Sequence, residues 1–352
     1  MSTVPKTSEG LMLEIVNKNK CVFCGGCIGG CPNRVLGFEG EAPKIVGMCQ
    51  KCETCWHTCP RTFYDYKQMD KEIFKRVRND DELIGIYTGV YAARSKIKEV
   101  LEVAQDGGVA TTLLMYAMDK GIIDSAVVSE IQGSVWKGWP TIVSVSKELV
   151  KSAGTKYTMS PVHIGLQDAV DNQRKSKVGI VAVPCEVQAA RKMQYTQKAA
   201  YRLGIKTRLI IGLFCMESFG YNDLINFLTS KGVEPKSVTK FSISKGKFIA
   251  QVEGKEVLNI PLEEIKPYAR NACNYCTDFT AEHADISVGS VGSPEGWSTV
   301  IVRSKRGEQV FKGACDEGYI EFMPMEQVKP GLKSVIKLSQ SKKERAKNYL
   351  NA

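Results

Sequence analysis

Long apolar runs are missing from this chain: no stretch of its 352 residues approaches the ~18 to 20 uninterrupted apolar side chains that a membrane-crossing helix requires. The opening MSTVPKTSEG is polar and lacks the apolar core of an export signal, so the expected address is cytoplasmic. Histidine is scarce, with His57, His163 and His283 alone, and no Ser/His/Asp or general-acid constellation is evident. No G-x-G-x-x-G stands between a strand and a helix, which leaves a nicotinamide-dinucleotide site without support. Internal repeats and low-complexity tracts are absent as well. What remains is the composition of a folded soluble protein, with 43% hydrophobic residues and 48 Lys plus Arg against 38 Asp plus Glu, a formal charge of +10. At roughly 150 residues per domain, the length suggests about two domains. No nucleic-acid partner is expected.

Cysteine is the exception to this ordinariness: there are 13, eight of them between Cys21 and Cys59. An odd total in a long chain without an export signal argues against a secreted disulfide framework and leaves zinc or iron. The first run is Cys21, Cys24, Cys27, Cys31 followed by Pro32, and the second is Cys49, Cys52, Cys55, Cys59 followed by Pro60. Each reads C-x2-C-x2-C-x3-C-P, the spacing of bacterial two-cluster ferredoxins, where the fourth cysteine of each run ligates the other cluster. Cluster one is therefore expected on Cys21, Cys24, Cys27 and Cys59, and cluster two on Cys49, Cys52, Cys55 and Cys31. Wrapping three thiolates around a cubane favours small residues between them, and Gly25, Gly26, Gly29 and Gly30 meet that need. Two zinc knuckles would place longer gaps between their C-x2-C pairs. His57, beside Cys59, is read as shielding a cluster.

The chain then divides into zones. Residues 1–62 form the cysteine-rich module, 63–85 a charge-dense helical connector, 86–330 an α/β body, and 331–352 a basic C-terminal helix with six Lys/Arg and one Glu between Lys333 and Leu350. That helix is read as solvated, or as docking on an acidic partner or an anionic membrane face. Within the body, strands are expected at 88–93, 125–128, 141–145, 178–183 and 209–214, with helices at 107–118, 166–174, 186–195 and 222–229. A β-hairpin insertion is expected near 236–262, and further strands follow at 285–289 and 298–303. Cys185 and Cys215 follow the apolar runs at 178–183 and 209–214, at strand ends where α/β folds build sites. With Cys273 and Cys276 they make either a third 4Fe-4S site or two buried structural cysteines plus a redox C-x2-C pair. Cys315 has no motif and is read as an ordinary thiol. Three glycine-bearing turns invite an anionic ligand: Gln105–Thr112 at a helix start, Ser152–Tyr157, and Gly289–Thr299.

The segments DGGVATTLL, AGTKY, VAVPCEVQAARKM, GLFCMESFGY and CNYCTDFTAEHADISVGSVGSPEGWSTVIVR together resemble the family of coenzyme F420 hydrogenase beta subunits, flavoproteins that exchange hydride with the deazaflavin coenzyme F420. The likeness spans about residues 86–325, and the two-cluster module in front of it resembles the F subunit of archaeal F420H2 dehydrogenase. The resemblance implies an α/β flavoprotein body that holds FAD, with coenzyme F420 stacked near the flavin ring, and a third 4Fe-4S cluster on Cys185, Cys215, Cys273 and Cys276. The positions it carries over as FAD or F420 contacts are Gly107, Gly108, Val109, Thr111, Lys156, Tyr157, Pro184, Gly292 and Trp297. Where such proteins often have Ser before the double glycine this chain has Asp106, which is expected to cap the helix. Lys156, Arg191, Lys192, Arg270 and Arg303 are candidates for steering the phosphate and glutamate tail of coenzyme F420.

The implied activity is oxidation of F420H2 by hydride transfer to FAD, then one-electron transfer through three 4Fe-4S clusters to a partner. That partner would be a component of a membrane F420H2 dehydrogenase complex, with the protein peripheral on the cytoplasmic face, or ferredoxin. The alternatives are the beta subunit of an F420-linked formate dehydrogenase, another F420-dependent reductase, or a non-catalytic electron relay.

Overall fold

The computed structural model describes residues 4–132 and 136–351. The cysteine-rich module contributes a hairpin of β1 (Leu36–Glu39) and β2 (Ala42–Ile45). The body follows with β3 (Gly89–Ser95), β4 (Ser125–Ile131), β5 (Gly138–Val143), β6 (Val178–Ala182), β7 (Thr207–Leu213), β8 (Lys240–Ser244), β9 (Lys247–Val252), β10 (Lys255–Pro261), β11 (Ile286–Gly289), β12 (Ser298–Val302) and β13 (Ile320–Pro324). Eight of these form one mixed sheet in the order β13-β3-β12-β11-β7-β6-β4-β5. Its centre, β11, β7, β6 and β4, is parallel. These strands are short and nearly all apolar because both of their faces are covered. One face packs against the helices Val109–Asp119 and Lys305–Asp316 through Leu113, Leu114, Val310 and Phe311. The other packs against Val162–Gln167 and Pro184–Tyr195 through Leu166, Val187, Ala190 and Met193.

Three expectations need correction. The insertion near 236–262 is a three-stranded antiparallel sheet, β10-β9-β8, rather than a hairpin. Its third strand carries a register shift between Glu256 and Leu258 and is largely exposed, so it shows no clean alternation. The connector is helical only over Tyr66–Phe74, with Asp65 accepting from the Gln68 N–H at its start and Lys75 in the left-handed region (φ 61°) at its end. The basic helix, Leu332–Asn351, is not simply solvated: Val335, Ser339, Lys342 and Ala346 form a buried stripe against the body. Among the described residues, no helix is long and apolar enough to cross a membrane.

The cysteine module and the body interlock. A Cβ on Gly29 would stand 2.2 Å from the His163 carbonyl oxygen, so this glycine serves the close approach of module to body rather than the wrapping of a cluster. The His163 N–H donates to the Cys24 carbonyl (3.3 Å), and its buried ring places Nε2 2.9 Å from the Glu186 carbonyl. Arg202 donates to the Gly29 and Gly30 carbonyls and pairs with Asp171 (2.9 Å). The connector is fastened by Arg78, which chelates Asp70 through Nε (2.7 Å) and Nη2 (2.8 Å) and also pairs with Glu282. His283 Nε2 lies 2.8 Å from Asp70 Oδ1, and its Nδ1 lies 2.7 Å from the Tyr64 hydroxyl.

Burial pushes the Asp70 carboxyl up, but its hydrogen bonds from Arg78 and His283 outweigh that and hold it well below the usual carboxylate range. Asp70→Asn removes the carboxylate that Arg78 and His283 share, and a loss of about 3–5 kcal/mol in unfolding free energy is expected from denaturant titration. His163 behaves differently. With Nε2 committed to a carbonyl acceptor, Nδ1 is buried without a partner, and burial lowers the ring's pKa to about 4. The unfolded chain binds a proton near pH 6.5 that the folded chain refuses until about pH 4, so stability falls as pH drops through that window. The denaturant midpoint of the native chain should decline more steeply across it than that of His163→Gln; parallel slopes would count against the assignment.

Candidate functional site

The two cysteine runs fold into matching loops. Phe23 (φ 55°) and Gly25 (φ 77°) bracket Cys24 in the left-handed region, and Lys51 (φ 54°) and Glu53 (φ 64°) do the same around Cys52. In both, a backbone N–H two residues on, from Phe23 or Lys51, donates to the first sulfur at 3.4 Å. The second run therefore makes the turn without glycine, at a strain cost of about 1–3 kcal/mol per residue. Short helices Gly26–Gly30 and Thr54–Thr58 follow, and Cys31 and Cys59 leave them in extended conformation.

Cys21, Cys24, Cys27 and Cys59 line one cavity, walled by apolar residues including Leu11, Ile15 and Phe23. The fourth cysteine of the second run thus faces the first three of the first run. Cys55 in turn lies within the electrostatic reach of Cys49, Cys31 and Cys52, and Cys52 is exposed. Burial, reinforced by neighbouring cysteines, pushes the Cys24 and Cys27 thiols well up and Cys21 to about 11. Four ionised thiolates are stable in such an enclosure only around a compensating metal centre. The imidazole of His57 is spent on Glu53 (3.3 Å).

A second cavity lies at the carboxyl ends of the parallel strands. It is lined by Cys185, just beyond β6, Cys215, just beyond β7, and Cys273 and Cys276 from the short helix Asn271–Tyr275 and its end. Burial pushes Cys215 to about 12. Burial acts on Cys276 too, but there the charges of Lys342 and Arg61 outweigh it and pull the thiol down. Among the described residues no three His, Cys, Asp or Glu side chains meet closely enough to hold a single metal ion. Four cysteines facing a shared space from different elements suit a cubane, whose irons sit at separate corners. Cys315 lies apart from these groups, half-buried on helix Lys305–Asp316.

Arg270 and Lys342 line the second cavity, and these and other cations of the chain are fastened to carbonyls and carboxylates within the protein. Lys342, fully buried, donates to the Cys215 (2.5 Å) and Asp278 (2.8 Å) carbonyls, and Arg345 pairs with Glu217 (2.5 Å) and donates to the Met216 carbonyl. Lys192 donates to the carbonyls of Cys59 (2.6 Å) and Phe63 (2.7 Å). Arg270 pairs with Glu41 (3.0 Å) and donates to the Cys21 carbonyl. Arg191 is held by Asp285 and the His283 carbonyl, and Arg303 by the Ile84, Ile86 and Thr280 carbonyls. Lys156 spends its ammonium on the Ser152, Ala153 and Gly154 carbonyls, and burial lowers its pKa to about 8. All five side chains considered for steering an anionic tail are thus committed within the protein.

The three glycine-bearing turns share the same sheet edge. The Gly107 N–H donates to Ser298 Oγ (3.1 Å), and the Thr155 N–H donates to Gln105 Oε1 (3.4 Å). A Cβ on Gly107 would meet the Ala93 carbonyl at 2.6 Å. Gly108 (φ 69°) is the N-cap of helix Val109–Asp119, with Val109 buried and Thr111 half-buried, so Asp106 does not cap the helix. Burial instead pushes the Asp106 carboxyl up. Tyr157 packs edge-on to Phe248 (6.2 Å), Gly292 sits beneath Val335, Trp297 is half-buried, and Pro184 opens its helix on the wall of the Cys185 cavity.

Comparison with known proteins bears on these features. Family models described as coenzyme F420 hydrogenase/dehydrogenase, beta subunit, match residues 90–167 (N-terminal part) and 175–328 (C-terminal part). The chain is 42% identical to the beta subunit of coenzyme F420 hydrogenase from Methanothermobacter thermautotrophicus over 271 residues, 77% of this chain and 96% of that protein. It is 32% identical to the F subunit of the F420H2 dehydrogenase of Methanosarcina mazei over 346 residues, 94% of this chain and 91% of that protein. Among solved structures, a chain of the F420-reducing [NiFe] hydrogenase complex from Methanosarcina barkeri superposes with a TM-score of 0.74 at 36% identity, covering 78% of this chain and 94% of that one.

Proposed function

Because the chain belongs to the family of coenzyme F420 hydrogenase/dehydrogenase beta subunits, we propose that it oxidises F420H2 and delivers the electrons, one at a time, to a partner protein. The observation that carries this reading is the pair of four-cysteine cavities, one in the module and one at the carboxyl edge of the parallel sheet, that share Val22 and Arg61 in their walls. A chain that only bound F420 would need neither.

FAD bound at the edge where the three turns meet supplies the conversion of a two-electron hydride into single electrons. Gly108, Val109 and Thr111 offer it a helix N-terminus, shaped by Gly107 whose own N–H is held by Ser298 Oγ, and Gly292, Trp297, Tyr157 and Pro184 complete the candidate contacts. Lys156 holds the second turn in shape through its three carbonyls, the part it plays in forming that wall. Three 4Fe-4S clusters would be held by Cys185, Cys215, Cys273 and Cys276; by Cys21, Cys24, Cys27 and Cys59; and by Cys31, Cys49, Cys52 and Cys55. The exposure of Cys52 supports reading the last of these as the one from which an acceptor draws electrons. The relatives named as subunits support an acceptor that is itself a protein: a membrane F420H2 dehydrogenase complex or ferredoxin.

Reconstituted anaerobically with FAD, the protein should oxidise F420H2 in the presence of a one-electron acceptor dye, seen as recovery of the oxidised deazaflavin absorbance. No oxidation with flavin and clusters both bound would favour a simple electron relay. A separate variant tests the ligand sets: Cys59→Ala should remove the cluster of Cys21, Cys24 and Cys27 and spare that of Cys49, Cys52 and Cys55, as read by EPR. Loss confined to the second would mean that each run serves its own cluster.

A further inference from the structure

Arg61 follows Cys59 and Pro60, the end of the second cysteine run, yet its side chain leaves the module. It lines both the cavity of Cys21, Cys24, Cys27 and Cys59 and the cavity of Cys185, Cys215, Cys273 and Cys276. Its hydrogen bonding is thin for a half-buried arginine: Nη2 reaches the Ala272 carbonyl at 3.4 Å, and Nε is buried without any partner. An arginine enclosed with so few acceptors is poorly compensated by neutral protein groups alone, and negative charge beside it would supply what is missing. Other cations at these walls are differently placed. Lys192 and Lys342 each satisfy two or more carbonyls, and Arg270 has Glu41. Arg61 has no carboxylate partner among the described residues.

We propose that Arg61 is a positioning residue shared by two redox centres, its fixed positive charge raising the reduction potential of the body cluster and of the Cys21 cluster together while leaving the Cys31 cluster untouched. The inference rests on the reading that both cavities hold 4Fe-4S clusters. Reduction of a cluster adds one negative charge, and a nearby cation kept out of water stabilises that added charge more than it would in solvent. The body centre should feel Arg61 more strongly, because the guanidinium reaches the carbonyl of Ala272, the residue that precedes Cys273. One charge placed this way keeps the two potentials in step, so a change there moves neighbouring centres in the same direction.

The test is an EPR-monitored redox titration of the full chain with its clusters, after iron and sulfide analysis. In Arg61→Gln the midpoint of the body cluster should fall most, that of the Cys21 cluster less, and that of the Cys31 cluster not at all. Arg61→Lys should lie between Gln and native. If Arg61→Gln fails to retain iron, Arg61→Lys carries the test: its midpoint for the body cluster should fall partway, that of the Cys21 cluster less, and that of the Cys31 cluster not at all. Unchanged midpoints, or an equal shift of all three, overturn the inference. Native protein that takes up fewer than three clusters overturns the cluster reading itself, whereas a full complement with insensitive midpoints overturns only the role of Arg61.

Discussion

A charge removed from water must find its hydrogen bonds in the protein, and the junction between module and body is organised by that demand at Lys192. This lysine, 3% exposed, rises from the body helix Pro184–Tyr195, and its ammonium ends on the Cys59 carbonyl of the module and the Phe63 carbonyl at the start of the connector. Those carbonyls have only one place to be. Cys185 sits near the start of the same helix, so a rigid spacer of about 10 Å separates the wall of the body cavity from the support of the other. Gly29 against the His163 carbonyl and Arg202 on the Gly29 and Gly30 carbonyls hold the same relation from the other side. Module and body behave as one unit because their contacts are buried and polar, and sliding either would strand a charge.

How much of this the residues reveal depends on how local each signal is. The cysteine runs were legible because their spacing lies within a single loop, and the central strands because Val178–Ala182 and Thr207–Leu213 are short apolar runs. The third strand of the small sheet was not, since Lys255–Pro261 is mostly exposed and its bulge breaks the alternation. The connector looked helical to residue 85 because nothing in its composition announces the left-handed Lys75. Asp106 precedes a helix as a capping residue would, but Gly108 takes the cap.

The buried cations were the least legible of all. A lysine on a polar helix has the same signature whether it faces water or, as Lys342 does, two carbonyls beside a cysteine cavity. The buried stripe Val335, Ser339, Lys342 and Ala346 has only two apolar members, so periodicity of hydrophobicity does not find it. Arg61, Arg191, Arg270 and Arg303 follow the same logic, since their partners come from far along the chain and no window around them contains both members of the pair. The resemblance of the body segments to a known family supplied what local pattern could not: a reason for Cys185, Cys215 and Cys273–Cys276 to meet.

The placement of helix Leu332–Asn351 has a consequence for how the protein is made. Lys342 forms part of the wall of the cavity of four cysteines, all of which precede it in the chain, and Arg345 reaches the Cys273 carbonyl behind that wall. Until that helix has docked, the cavity lacks the wall that Lys342 supplies. The N-terminal runs face no such delay in their own residues, but their seat on the body also awaits Lys192 and Arg202. Folding of such sequence-distant contacts comes late. Docking of the last helix of the chain is therefore what completes that side of the four-cysteine cavity.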